Sequence, residues 1–219
     1  MIDILQKQLS AAGVKLIAVS KTYPPENILA VYAEGCRDFG ENKVQELVDK
    51  YEILPKDIQW HVIGHLQTNK VKYIAPFVAM IHSVDSLRLL AEINKQGAKH
   101  HRQIPCLLQF FIAEEDTKFG LDWAEAVELL ESPEFADFKH VIIAGVMGMA
   151  SFTENQEQVR REFDTLKQYF DRLKKTYFAN QPTFKEISMG MSGDWELAVE
   201  AGSTMVRIGS AIFGARTKT

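Results

Sequence analysis

Short apolar runs alternate with longer amphipathic segments along the whole chain, and this alternation constrains the fold more than any other feature. Eight runs have the length and composition of strands, at residues 14–20, 37–39, 58–63, 78–83, 104–112, 140–147, 183–187 and 204–208. The segments between them have helical periodicity, at residues 26–34, 42–51, 68–74, 86–95, 123–130, 155–177 and 195–200. Strict alternation predicts parallel strands joined by right-handed crossovers.

Eight such units favour a closed (β/α)8 TIM barrel of the α/β class over an open, doubly wound sheet. The 219 residues allow about 27 per unit, which is tight because such barrels usually have about 250 residues. We therefore expect short loops and interpret residues 1–219 as one barrel domain. An extra amino-terminal helix is predicted before Gly13, and Gly97 is expected to follow the end of the fourth helix between strands.

The composition is that of an ordinary globular protein, with 46% hydrophobic residues and a formal net charge of −4. This mild acidity argues against broad nucleic-acid binding, which needs clustered Lys and Arg. Cys36 and Cys106 lie in apolar stretches and are expected to be buried, reduced thiols. No stretch of 18 apolar residues predicts a membrane span, and the amino terminus does not resemble a signal peptide, so we expect a cytoplasmic protein.

The position of an active site follows from the predicted fold, because barrels of this kind place it at the carboxyl ends of the strands. Phosphate is often held there by the loops after strands seven and eight. These loops read SMGMSGD at 188–194 and GSAIFG at 209–214, and their small residues allow backbone N–H groups and hydroxyls to approach an anion. Alternatively, Ser192 and Asp194 only cap a helix, but the joint placement of the two loops favours a phosphate site.

Two basic residues lie near this predicted rim. Lys21 follows the first strand and could be a phosphate counter-ion, a general base or an imine-forming amine, although its position alone favours a surface lysine. Arg207 lies among apolar residues of the last strand, where a guanidinium needs a partner. That partner is either a bound ligand or a carboxylate inside the barrel, such as Glu41 or Glu186.

Five motifs extend over most of the chain in order: AVSKT at 18–22, FGENKVQE at 39–46, WHVIGHLQTNK at 60–70, SMGMSGDWE at 188–196 and AGSTMVRIG at 201–209. They resemble the pyridoxal phosphate homeostasis family, also called the YggS or PROSC family. The resemblance implies a barrel similar to the amino-terminal domain of alanine racemase that binds pyridoxal 5′-phosphate (PLP).

The resemblance also implies roles for individual residues. Lys21 would carry PLP as an internal aldimine, Asn42 would lie against the ring, and Arg207 would face the pyridine nitrogen. Ser192, 15 residues before Arg207 as in the racemase, would hold the phosphate. The Gly209 and Ser210 backbone would complete the phosphate site, and no metal is implied.

An arginine beside the pyridine nitrogen disfavours its protonation and weakens the ring as an electron sink. The leading hypothesis is therefore a carrier or regulator of PLP without robust catalysis, with PLP-dependent apoenzymes as candidate partners, and the resemblance implies that it is a monomer. One alternative is a weak PLP-dependent amino-acid racemase. Racemisation needs a second acid or base, which the racemase takes from a further domain of a partner subunit, and Tyr23 is the nearest substitute here.

Another alternative is an unrelated barrel enzyme that acts on a phosphorylated metabolite, with Lys21 as base or electrophile. A metal hydrolase is a weaker variant, because Gly64 breaks any helix between His61 and His65, although His65 is expected to line the cavity.

The chain departs from the family pattern at the expected rim. Gln-Phe-Phe at 109–111 replaces the usual Gln-Val-Asn, and 145–149 is a variant of the usual Gly-Leu-Met stretch. Glu115, Lys118 and Gly120 keep the pattern of the loop after strand five.

Overall fold

Eight parallel strands close into a barrel in chain order, which confirms the predicted (β/α)8 fold. The structure is a computed structural model and describes residues 2–114 and 119–214. The strands are β1 (Lys15–Val19), β2 (Asp38–Glu41), β3 (Gln59–Val62), β4 (Met80–Val84), β5 (Ile104–Phe111), β6 (Val141–Met149), β7 (Glu186–Ser188) and β8 (Met205–Ile208). The barrel closes between β1 and β8, where Ala18 pairs with Ile208.

Helices cover the outside of the barrel. They are α1 (Ile2–Ala11), α2 (Pro25–Ala33), α3 (Val44–Ile53), α4 (Val71–Ile74), α5 (Leu87–Lys99), α6 (Trp123–Glu131), α7 (Pro133–Ala136), α8 (Gln156–Thr176), α9 (Trp195–Glu200) and α10 (Ser210–Phe213). The amino-terminal helix is present as predicted. The short helix α7, which was not predicted from the sequence, begins at Pro133, and the Ser132 hydroxyl caps it by accepting from the Phe135 N–H group.

The main core lies between the strands and the helices. The apolar stripe of α8 contributes Val159, Phe163, Leu166 and Leu173, all of them buried, as its helical periodicity predicted. A smaller apolar cluster belongs to buried strand residues, namely Met80, Leu107, Ala144, Met147 and Met205. Both cysteines are buried and free. Within residues 2–114 and 119–214, the structure contains no helix that is both long and apolar enough to cross a membrane.

The expectation that Gly97 follows a helix end is wrong, because α5 continues to Lys99. Gly97 is buried inside the helix, where a Cβ atom would lie 2.7 Å from the backbone oxygen of His140 and 3.0 Å from that of Arg102. Glycine at this position lets the helix approach the chain entering β5 and β6. Sequence alone cannot separate a close approach of this kind from a helix end.

We predict that Gly97→Ala destabilises the protein, although alanine is the better helix former by about 1 kcal/mol. The methyl group would overlap backbone atoms, and overpacking of this kind costs about 1–3 kcal/mol. Urea unfolding measures the difference. Gly193→Ala is a suitable control, because nothing lies within 4 Å of the added Cβ. A Gly97→Ala protein at least as stable as the wild type would contradict the packing argument.

Candidate functional site

A cavity of about 430 Å³ opens at the carboxyl ends of the strands, within the range typical of small-molecule sites. All six residues that the sequence singled out line it, namely Lys21, Asn42, Ser192, Arg207, Gly209 and Ser210. They follow or belong to β1, β2, β7 and β8, and the closed barrel brings these strand ends together. Met149, Ser151, Thr153 and Asp194 also line the cavity, and of these Ser151 and Thr153 were not expected from the sequence.

The loops after β7 and β8 meet at this cavity. The Gly209 N–H group donates to Ser192 Oγ at 3.3 Å. A Cβ atom on Gly209 would lie 3.2 Å from the backbone oxygen of Val19, so glycine lets this loop pass close to β1. Hydroxyl groups and backbone N–H groups are therefore gathered at one side of the cavity, a donor set that suits an anion.

Asp194 stabilises the first of these loops from within. Its Oδ1 accepts from the Met191 N–H group at 2.5 Å, and its carboxylate makes no capping hydrogen bond to the described residues of α9. Helix capping therefore does not explain Asp194. Burial raises the pKa of Asp194, although the Met191 N–H group and the charge of Arg207 oppose this rise.

Arg207 is almost fully buried in β8 and forms part of the cavity wall. Its Nη1 donates to Ser188 Oγ at 2.6 Å and its Nη2 to the backbone oxygen of Gly148 at 3.0 Å. The alternative of a salt bridge to Glu41 or Glu186 is wrong, because Glu41 pairs with Lys50 and Glu186 accepts from Thr204. Burial lowers the pKa of Arg207 to about 10, so the group stays cationic at neutral pH.

A buried ion pair supports the end of β1 just before Lys21. The Ser20 hydroxyl donates to Glu41 Oε1 at 2.6 Å, and Lys50 Nζ donates to the same oxygen at 2.7 Å and to the Ser20 carbonyl at 2.8 Å. Glu41 and Lys50 are nearly inaccessible to solvent. Burial raises the pKa of Glu41 above its ordinary value, although Lys50 lowers it.

The residue after Lys21, Thr22, is linked to Lys50 through the Glu46 carboxylate. Thr22 has a φ of 70°, a left-handed conformation that is unfavourable for a β-branched residue. Its N–H group donates to Glu46 Oε1, which also accepts from Lys50 Nζ. Lys21 therefore lies between two backbone positions that are fixed by one network, and this orients it towards the cavity.

The loop that carries Asn42 packs closely against Gly64 in the loop after β3. A Cβ atom on Gly64 would lie 2.8 Å from both the Cα and the carbonyl oxygen of Asn42. Glycine at position 64 therefore allows the loop after β3 to support the loop after β2.

The rim beyond β5 and β6 is apolar. A smaller hollow of about 220 Å³ shares Met149, Phe152 and Met191 with the main cavity and includes Phe110 and Phe111. The altered sequence at the carboxyl end of β5 thus places an apolar hollow beside the main cavity. Glu115 and Lys118 lie outside the described residues.

Two residues considered from the sequence lie elsewhere. Tyr23 stacks on Phe213 at 4.7 Å between ring centres and donates to the Gly214 carbonyl at 2.6 Å, in agreement with a packing role. The expectation that His65 lines the cavity is wrong, since it is exposed and faces Asp85 at 3.4 Å in a separate groove. In the described part of the chain, the structure contains no group of three His, Cys, Asp or Glu residues that could hold a metal.

Sequence reasoning missed the residues that support the site, chiefly Ser188, Glu46 and Lys50. Glu46 and Lys50 are four apart on α3, a spacing that indicates an ion pair but not that it is buried. Ser188 lies within one of the quoted motifs, yet no local pattern indicates its contact with Arg207.

Fold and cavity together define a barrel of the alanine racemase amino-terminal type. Residues 2–217 match the family model described as "Alanine racemase, N-terminal domain". The chain is 40% identical over 222 residues to the pyridoxal phosphate homeostasis protein of Aquifex aeolicus (strain VF5), covering 99% of this chain and 95% of that protein. The chain therefore belongs to the pyridoxal phosphate homeostasis protein family, as its motifs predicted.

Solved structures agree with this assignment. PipY of Synechococcus elongatus PCC7942, with PLP bound, superposes with a TM-score of 0.84 at 34% identity, covering 98% of this chain and 100% of PipY. Alanine racemase from Bartonella henselae has a TM-score of 0.70 at 18% identity, covering 99% of this chain and 63% of the racemase. The racemase comparison shows a shared fold alone.

We predict that Lys50→Met lowers the free energy of unfolding by about 3–5 kcal/mol at pH 7, because it leaves Glu41 buried without its cation. Burial already raises the pKa of Glu41, and the change removes a group that lowers it. The folded variant thus binds a proton more readily than the unfolded chain, so the loss shrinks as pH falls through the raised pKa of Glu41 towards the ordinary value of 4.5, and it changes no further below that value.

Urea unfolding at several pH values measures this loss, with Lys175→Met on the exposed face of α8 as the control. An equal loss in both variants, or one independent of pH, would contradict the assigned role of Lys50.

Proposed function

We propose that this chain binds PLP in the cavity at the carboxyl ends of the strands and acts as a carrier or regulator in PLP homeostasis, without robust catalysis. The observation that carries this proposal is the convergence of Lys21, Arg207 and the two small-residue loops on one cavity. PLP supplies an aldehyde that condenses with amines and a ring that can accept electrons. Membership of the family and the PLP bound to PipY support the assignment.

Lys21 is proposed to attach covalently to the aldehyde of PLP. The side chain lines the cavity, and its backbone neighbours on both sides are fixed by hydrogen bonds to Glu41, Glu46 and Lys50. A lysine held in place in this way loses less freedom when it binds, which favours retention of the ligand. Asn42 is proposed to lie against the ring.

The phosphate is proposed to bind at the loops after β7 and β8. Ser192 and Ser210 offer hydroxyl groups, and the buried Gly209 offers a backbone N–H group next to them. The donor set therefore fits a dianionic phosphate group better than a neutral ligand.

Arg207 is proposed to face the pyridine nitrogen. Ser188 and the Gly148 carbonyl each accept one of its N–H groups and hold the guanidinium in the cavity wall. A fixed cation at this place disfavours a protonated ring nitrogen by like-charge repulsion. The ring would then be a weak electron sink, which suits storage of PLP better than chemistry upon it.

Weak amino-acid racemisation is the less favoured function. Racemisation needs an acid or base opposite the lysine, and Tyr23 is engaged with Phe213 and Gly214 outside the cavity lining. Measurement of D-alanine formed from L-alanine by the PLP-loaded protein separates the two functions. Sustained turnover above that of Lys21→Ala would favour the racemase.

The carrier that we propose is a monomer, since residues of one chain supply all six proposed contacts. Its proposed partners are PLP and apoenzymes that depend on PLP, in the cytoplasm. The cavity is open at the barrel rim, where a recipient protein could approach a bound ligand.

We predict that PLP becomes fixed to the wild-type protein by borohydride, with a mass gain of one phosphopyridoxyl group that survives denaturation. Lys21→Ala should lose both this mass gain and the absorption band of bound PLP, because the attached amine is gone. Lys43→Ala, which alters an exposed lysine in the neighbouring loop, is the matched control and should behave as the wild type. A label that maps to another lysine in the wild type would refute the assignment of Lys21.

We predict that Ser192→Ala weakens PLP binding by about 1–3 kcal/mol, or roughly 5- to 150-fold in Kd, because a charged ligand group loses a hydrogen-bond donor. Equilibrium dialysis of PLP measures the change. Binding of pyridoxal, which lacks the phosphate, should change little in the same variant, and Ser10→Ala on α1 serves as a distant control. Equal losses for PLP and pyridoxal would remove Ser192 from the phosphate site.

A further inference from the structure

A line of polar side chains crosses the interior of the barrel from the cavity to the opposite face. Arg207 Nη1 donates to Ser188 Oγ at 2.6 Å, and His82 Nδ1 lies 2.9 Å from the same oxygen. His82 Nε2 lies 2.9 Å from His61 Nδ1, and His61 Nε2 lies 3.0 Å from Asp38 Oδ1. We call these five residues the barrel relay.

The barrel relay is buried except at one end. Arg207, Ser188, His82 and His61 are each less than 5% exposed, whereas the side chain of Asp38 is 24% exposed at the amino end of β2. Polar groups buried in a barrel are costly unless they satisfy one another. The relay therefore links the cavity wall to solvent at the opposite face through groups that depend on each other.

The chemistry of the two ends fixes the direction of every hydrogen bond. Arginine only donates, so the Ser188 hydroxyl that accepts from Arg207 can donate its own hydrogen to His82 Nδ1. His82 then carries its hydrogen on Nε2 and donates to His61 Nδ1, and His61 donates from Nε2 to the carboxylate of Asp38. Both histidines are neutral in this arrangement. Burial, together with the charges of Arg207 and Lys15, lowers the pKa of His82 and favours its neutral form, and a proton on His61 would lower that pKa further.

One added proton reverses part of this order. If His61 takes a proton from solvent, both of its nitrogens donate, so His82 must accept at Nε2 and carry its hydrogen on Nδ1. Ser188 Oγ then accepts from both His82 and Arg207, and its hydrogen loses His82 as acceptor. The oxygen is no longer polarised by donation to His82, which weakens its bond to Arg207.

We propose that Ser188, His82 and His61 are positioning residues for Arg207, and that protonation of His61 at the far end of the relay weakens PLP binding through Arg207. The proposal rests on the proposed function, because it assigns Arg207 to the ring nitrogen of PLP. It adds a regulatory input from the barrel face opposite the cavity.

The charged groups around the relay define its response to pH. His61 on β3 is faced by Asp38 from β2 and by His82 from β4, and Asp38 also lies 3.5 Å from Lys15 on β1. On β7, Glu186 accepts from Thr204. Hydrogen bonding to His61 lowers the pKa of Asp38 even though burial acts to raise it, so Asp38 stays ionised where histidines titrate.

Equilibrium dialysis between pH 5 and 8.5 measures the Kd of PLP for the wild type and for His61→Gln. We expect this Kd to rise at acidic pH in both proteins, with a rise in the wild type that exceeds the rise in His61→Gln by about 3- to 10-fold. PLP itself titrates in this range, but this affects the Kd of both proteins equally, so only the difference between them reports on His61. Asp38→Asn keeps an acceptor for His61 but lacks the negative charge that favours an added proton there, so its Kd should rise less at acidic pH than that of the wild type. His65→Gln, an exposed histidine in another groove, should match the wild type.

Spectra of ¹⁵N-labelled histidines in the protein without PLP test the relay separately. At pH 8.5, His82 and His61 should both carry hydrogen on Nε2, and at acidic pH His82 should change to the Nδ1–H tautomer. Identical pH profiles for the wild type, His61→Gln and Asp38→Asn would overturn the proposal, as would an unchanged His82 tautomer. If His61→Gln does not fold, Asp38→Asn decides alone. Failure of the wild type to bind PLP would refute the proposed function, and the spectra would still show whether the relay exists.

Discussion

A guanidinium group buried inside a barrel is the constraint on which much of this structure depends. Arg207 cannot lose its charge at neutral pH, so its N–H groups must be satisfied within the barrel. The Ser188 hydroxyl and the Gly148 carbonyl do this, and Ser188 in turn requires His82. A single buried charge therefore fixes groups on β4, β6, β7 and β8. The part of Arg207 that these groups leave uncovered lines the cavity.

At the rim of the cavity, hydrogen bonds fix the backbone on both sides of Lys21. Lys21 is held between Ser20 and Thr22, whose hydrogen bonds converge on the buried cation of Lys50. Thr22 has a left-handed conformation, and the hydrogen bond from its N–H group to the Glu46 carboxylate offsets part of its cost. A ligand that joins covalently to Lys21 and carries a phosphate would meet preorganised groups at both ends. Such a site retains a ligand without reorganising around it.

The sequence predicted the barrel and the two small-residue loops near Lys21 and Arg207, because strand and helix periodicity are local properties and parallel barrels gather their carboxyl strand ends on one face. The position of Asn42 at the cavity came from the family resemblance instead. The sequence did not predict where Gly97 and His65 lie. Gly97 looks like a helix end because glycine favours both helix ends and close contacts, and only the position of His140 separates the two. His65 follows a strand end as Lys21 does, but its side chain faces Asp85 at the surface.

By itself the sequence determined the order of strands and helices, the two small-residue loops, and the placement of a lysine and an arginine near them. Only the tertiary structure decided what these residues contact. His82 and Ser188 are 106 positions apart, and Ser20 and Lys50 are 30 apart, so no local pattern reports either hydrogen bond. The physical reason is that burial makes each polar group depend on whichever partner barrel closure brings beside it, and closure is a property of the whole chain.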